Sequence, residues 1–169
     1  MRDLVRIEPG SVVVTVASTA SGHEEWAARN FTPDQFVTLD ECRRLVAGNE
    51  LDRAATAEAF ELLVRAVDGR ARRGVTTAVA GAFFDPTLRR RLAELARRHG
   101  RPAVAVCFRL PEELAQFRNR TGRVYTPAKL LERQLEQVEE FVREGGADEG
   151  WDRVLVFDDV DPDLAPVVR

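Results

Sequence analysis

Five short apolar runs punctuate the chain, at residues 12–16, 36–39, 76–80, 103–108 and 154–157. Most are continuous and β-branched instead of alternating with polar residues, as expected of strands buried on both faces of a parallel sheet. Between them, apolar residues return at helical spacing. Phe60, Leu63, Val64 and Val67 form one stripe, Leu88, Leu92 and Leu95 a second, and Leu130, Leu131, Leu135, Val138 and Phe141 a third. A shorter helix is expected from Pro111, a residue suited to a first helical turn, to about Gly122. Gly145-Gly146 reads as a helix stop before the last strand. Strands alternating with helices predict right-handed βαβ units in a three-layer α/β domain. With no repeat or linker in view, the expectation is a single domain over residues 1–169.

Composition narrows the class. The 169 residues suit one compact domain, and 44% hydrophobic with 31% charged content is ordinary for a water-soluble fold. No stretch approaches the ~18 consecutive apolar residues of a membrane span, and Met1-Arg2-Asp3-Leu4 opens no signal-peptide core. Cys42 and Cys107 are too few for a disulfide framework or a zinc site. These features predict a reduced, cytoplasmic protein with no membrane partner and no metal centre. A formal charge of −3 argues against bulk affinity for nucleic acid, though not against a local basic patch. Among the 25 basic residues the single lysine is Lys129. A mechanism that needs a lysine elsewhere must do without one. The acidic run Asp158-Asp159-Val160-Asp161-Pro162-Asp163 reads as a solvated tail in preference to a metal site.

In such a fold, phosphate is held at the turn after the first strand, where a helix begins. Here residues 12–16 run into Ala17-Ser18-Thr19-Ala20-Ser21-Gly22-His23-Glu24. Against G-x-x-x-x-G-K-[ST], the length and Gly22 fit. Ala17 stands at the first glycine, His23 at the lysine and Glu24 at the magnesium-binding hydroxyl. Ala20 and Ser21 are small enough for a tight turn.

Further along stand Leu39-Asp40-Glu41-Cys42-Arg43, then Arg101-Pro102-Ala103-Val104-Ala105-Val106 and Leu110-Pro111-Glu112-Glu113. Arg118-Asn119-Arg120, Arg123-Val124-Tyr125-Thr126-Pro127 and Arg133-Gln134 follow. In order and spacing, residues 12–157 resemble the 5′-hydroxyl polynucleotide kinase domain of bacterial polynucleotide kinase-phosphatases and related small P-loop kinases. The resemblance implies a P-loop kinase-like fold, a parallel five-stranded sheet flanked by helices, with a lid over about residues 118–127. Asp40 would correspond to the general base that takes the proton of a nucleic-acid 5′-hydroxyl. Arg43 would contact the acceptor phosphate, and Arg118 and Arg123 would reach the transferring phosphoryl group from the lid. The family's D-A-T-N aligns with Ala80-Gly81-Ala82-Phe83, so Ala80 stands where the family has an acid.

Phosphoryl transfer asks a protein for positioning and charge neutralisation. His23 is shorter than lysine and, with a reference pKa of about 6.5, mostly neutral at pH 7. Glu24 puts an anion where phosphates would sit, at a cost on the order of 4 kcal/mol per like-charge contact at ~4 Å and a dielectric of ~20. A carboxylate there gains roughly 0.3–1 kcal/mol from the helix dipole, so Glu24 is expected to occupy the place of the nucleotide phosphate. The sequence thus points to a catalytically impaired kinase relative, a pseudoenzyme that binds or regulates. Its partner would be a nucleic-acid 5′ end or a protein seated in the former cleft, and no cofactor is implied. The alternative is an active ATP- and magnesium-dependent phosphotransferase whose missing cation comes from Arg118, Arg120 or Arg123.

Plainer roles stand beside these. Asp40 is either an acceptor-site residue or a helix N-cap, and Arg43, Arg44, Arg118, Arg120 and Arg123 either gather an anion or are solvated charges. His99 is expected to cap a helix end, and Trp26, Phe31 and Phe83 to pack as core. Phe83 and Phe84 would either fill the old pocket or expose an apolar face to a partner, together with the helix from Pro127 to Arg143.

Overall fold

A computed structural model describes residues 5–81, 83, 85–122, 124–144, 146 and 148–158. Five strands, β1 (Val12–Ala17), β2 (Phe36–Thr38), β3 (Thr77–Ala80), β4 (Ala103–Arg109) and β5 (Arg153–Asp158), form one sheet in the order β2-β3-β1-β4-β5. Every pairing is parallel. The helices are α1 (His23–Asn30), α2 (Leu39–Ala47), α3 (Thr56–Arg72), α4 (Pro86–Arg98), α5 (Glu112–Thr121) and α6 (Ala128–Glu144), with single 3-10 turns at Pro33–Gln35 and Arg53–Ala55. The parallel five-stranded, helix-flanked sheet is the one the apolar runs predicted.

The continuous runs are those of the strands with neighbours on both sides. All six residues of β1 and all four of β3 are buried, whereas the edge strands β2 and β5 are only partly covered. On one face Val12, Val14 and Val79 pack with Phe60, Leu63 and Val67 of α3 and Leu92 of α4. Farther along that face Val16, Ala105 and Cys107 meet Val138 and Phe141 of α6. The opposite face carries Val13, Ala17, Val104 and Val106 against Trp26 of α1, with Phe31 and Ile7. Trp26 is the centre of an aromatic cluster, 5.3 Å from Phe108, 5.9 Å from Phe31 and 6.0 Å from Phe157 between ring centroids. Each such side chain, fully buried, contributes roughly 1.5–3 kcal/mol.

Two boundaries shift. Residue 39, read as strand, opens α2, because the Thr38 hydroxyl accepts from the Glu41 N–H at 3.0 Å and caps the helix there. Pro111, expected inside the first turn, is the N-cap residue of α5. The tail after Asp158 and the second residue of the pair Phe83-Phe84 lie outside the described residues, as do Ala82, Arg123 and Gly145. Among the described residues no helix is long and apolar enough to cross a membrane.

Candidate functional site

At the carboxyl end of β1 the chain leaves Ala17, turns through Ser18 to Gly22 and enters α1 at His23. Two residues take the left-handed backbone that closes the turn, Gly22 (φ 88°) and Ala20 (φ 60°). Glycine adopts it freely, whereas a Cβ there costs roughly 1–2 kcal/mol, so other contacts must hold Ala20 in place. Gly22 offers α1 no side-chain cap.

Those contacts come from α5, α6 and the segment between them. Gln134 of α6 accepts from the Thr19 backbone N–H at 3.1 Å and from the Thr19 hydroxyl at 3.0 Å. The Thr19 and Thr126 hydroxyls share a hydrogen bond of 2.8 Å. Thr126 is fixed in turn by Asn119, which donates to its carbonyl at 2.7 Å and accepts from its N–H at 2.8 Å. Arg118 donates to the Ser21 carbonyl at 3.0 Å. A phosphate-binding loop aims free N–H groups at its ligand; here the Thr19 N–H already has an acceptor. Gln134, Thr126 and Asn119 were not singled out as loop partners in the sequence. The signal was available for Gln134, which occupies the buried stripe of α6 between Leu131 and Val138.

His23 stands where the motif has lysine. It is buried, its Nδ1 shares a 2.8 Å hydrogen bond with the Ser21 hydroxyl, and burial lowers its pKa to about 4. The imidazole is therefore neutral at pH 7. Its Nε2, the Ser18 hydroxyl and the Trp26 Nε1 are buried without a protein partner, each such atom costing about 1–3 kcal/mol. Glu24 is half-buried in the first turn of α1. These residues do not fit a magnesium–triphosphate group. Set against the motif, a neutral ring stands at the lysine position and a carboxylate at the hydroxyl position, and one loop amide is engaged by Gln134.

The residues to which the resemblance gives an acceptor role lie at the same edge of the sheet. Leu39, at the start of α2, packs beside Gly81 at the end of β3, and Gly81 exchanges hydrogen bonds with the Thr15 hydroxyl of β1. Asp40 pairs with Arg43 at 2.5 Å, and the Arg43 Nε donates to the Thr56 hydroxyl at 3.1 Å. Asp40 is not the N-cap, which is Thr38; it sits within the first turn, where its carboxylate complements the helix dipole. Arg44 pairs with Glu41, and Arg120 is exposed.

Ala80 is buried at the end of β3, and Phe83 beyond it is only 3% exposed. Phe83 meets the Phe60 ring edge-on at 6.4 Å, and its carbonyl accepts from Arg89. Phe83 thus packs in the interior, as expected of it, and offers no surface to a partner. His99 does sit at the end of α4, bonded to Asp68 at 2.8 Å. Neither thiol is poised as a nucleophile, since burial pushes Cys107 up to about 12 and also raises Cys42. Among the described residues no group of three metal-ligating side chains comes together.

Solved structures that share the fold at low sequence identity include the following three. A gluconokinase from Sinorhizobium meliloti 1021 is 20% identical with a TM-score of 0.57, covering 89% of this chain and 82% of its own. A chain of the PezAT chromosomal toxin–antitoxin system of Streptococcus pneumoniae is 11% identical at 0.55, covering 93% and 70%. The tunicamycin resistance protein of Deinococcus radiodurans is 11% identical at 0.51, covering 86% and 85%. No curated protein matches the sequence. The family model described as AAA domain matches residues 12–144, from the first residue of β1 to the last of α6.

Proposed function

The chain belongs to the AAA domain family and has a P-loop kinase-like fold, and from that premise we propose that it is a binding or regulatory protein that does not transfer phosphate. The observation that carries this reading is His23, buried and neutral at the position where the motif needs a permanent cation. The bond from the Thr19 amide to Gln134 supports it, as does the carboxylate of Glu24 in place of a hydroxyl. What is retained is the acceptor side. Asp40 and Arg43, with Arg118 and by resemblance Arg123, would meet a nucleic-acid 5′ end.

Calorimetry with ATP and magnesium tests the proposal. The wild type is expected to give no binding heat at millimolar nucleotide, whereas a His23→Lys, Glu24→Ser variant gains binding. A wild type that binds the nucleotide as a working kinase does would overturn it.

A second reading, an active phosphotransferase, has one observation in its favour: the Arg118 guanidinium reaches the loop at the Ser21 carbonyl, so a cation is at hand. End-labelling of a 5′-hydroxyl oligonucleotide from ATP decides between them. Label transfer abolished by Asp40→Asn would establish activity, and no transfer across metals and nucleoside triphosphates would remove it.

A further inference from the structure

We propose that the opposite edge of the sheet carries a second binding site, for a compact multiply charged oxyanion, phosphate- or carboxylate-based. A cavity of about 460 Å³ opens there, between the amino ends of β1, β4 and β5, a volume within the small-ligand range. Along β1 it is roughly 20 Å from the loop at the strand's other end, at ~3.3 Å per residue. The candidate is therefore independent of the donor loop.

Three arginines line it, Arg97, Arg101 and Arg153. Among the described residues none of the three forms an ion pair. Two are instead held by backbone carbonyls, which fix a guanidinium without neutralising it. Arg101 donates from Nε to Ala71 at 2.9 Å, and Arg153 donates to Arg6 at 2.6 Å.

Glycines make room for two of the guanidinium groups. A Cβ on Gly74 would lie 2.7 Å from Arg101 Nη2, and one on Gly150 would lie 2.9 Å from Arg97 Nη1. Arg97, in the last turn of α4, also complements that helix's dipole, but this asks nothing of Arg101 or Arg153. Glu8 and Asp152 line the cavity too. Asp152 is engaged by the Ala103 N–H at 2.8 Å, and the lining keeps a net positive charge. Planar guanidinium forks match carboxylate and phosphate oxygens in pairs, which selects an oxyanion over a halide.

The test is calorimetry on the whole chain at 150 mM KCl, with pyrophosphate in one arm and citrate in the other. At least one is expected to bind the wild type. An Arg97→Gln, Arg153→Gln variant, altered only at exposed side chains, should bind it at least tenfold more weakly, while His23→Asn binds it as the wild type does. The stronger arm identifies the acid group. No heat from either anion up to 10 mM overturns the proposal. So does undiminished binding by the double variant, or loss in His23→Asn, which would place the anion in the loop.

Discussion

Lowering the pH should destabilise this protein through His23 by an amount the structure sets. The ring is buried, its Nδ1 is bonded to Ser21 and its Nε2 has no protein partner, so protonation must place a cation away from water. Its pKa falls from 6.5 to about 4 on folding, through desolvation. Because the folded-state value is depressed, the unfolded chain binds the extra proton between these two values. The stability is therefore complete above pH 6.5 and is lost as pH falls toward 4. At about 1.4 kcal/mol per pKa unit, the full loss is about 3 kcal/mol, with about 2 kcal/mol already gone at pH 5.

Carboxylates titrate below that range and would blur a single measurement, so the informative quantity is a difference. Urea denaturation of the wild type and of His23→Asn, from pH 7.5 to 4.5, should give stability differences that shrink as the wild type alone loses the histidine contribution. The asparagine carbonyl can take over the hydrogen bond from Ser21, which keeps the variant folded. Parallel pH profiles for the two proteins would refute the buried neutral ring, and with it the central support for the proposed function.

Arg89 makes a bidentate pair with Glu149, both about 5% exposed, and also donates to the Phe83 carbonyl while lying over the Phe141 ring. Arg89→Leu should cost about 3–5 kcal/mol in urea denaturation, and Arg89→Leu with Glu149→Leu should recover much of it, because the single change strands a buried carboxylate. Gly81→Ala would put a Cβ 2.8 Å from the Phe83 ring and 3.3 Å from Leu39; an overpacking cost of about 1–3 kcal/mol should lower the melting temperature by several degrees. Gln134→Ala removes both acceptor contacts to Thr19. Amide exchange at Thr19 should accelerate at least tenfold while the β1 amides stay protected, for a local cost of about 1–2 kcal/mol.

The sheet was legible because burial on both faces forces uninterrupted apolar runs, and β1 and β4 obey this along nearly their whole length. Helix positions followed from stripes such as Leu131, Val138 and Phe141. Boundaries were less legible, since Leu39 is apolar in a strand or a helix alike and only the Thr38 hydroxyl decides. The loop after β1 could be read residue by residue, but its internal partners could not. Gln134 lies 115 residues from Thr19, and nothing local at either end announces the bond. The burial of Phe83 was legible, but not its partner: that the ring meets Phe60 depends on a helix formed elsewhere in the chain.

On the proposed reading the loop would oppose a triphosphate in two ways, and they differ in how they would respond to repair. The first is electrostatic. A neutral His23 supplies no charge, and Glu24 opposes phosphate by an amount on the order of 4 kcal/mol at contact and ordinary protein dielectric; both are matters of side-chain identity. The second is geometric. The Thr19 N–H is held by Gln134, and Gln134 is itself 5% exposed in a packed helix, so opening the loop breaks a buried polar network worth about 1–2 kcal/mol. Restoring lysine and the hydroxyl removes the larger obstacle and leaves the smaller one in place. Nucleotide affinity regained by His23→Lys, Glu24→Ser alone therefore falls short of an unobstructed loop by roughly a factor of ten, the share held by the clasp from α6.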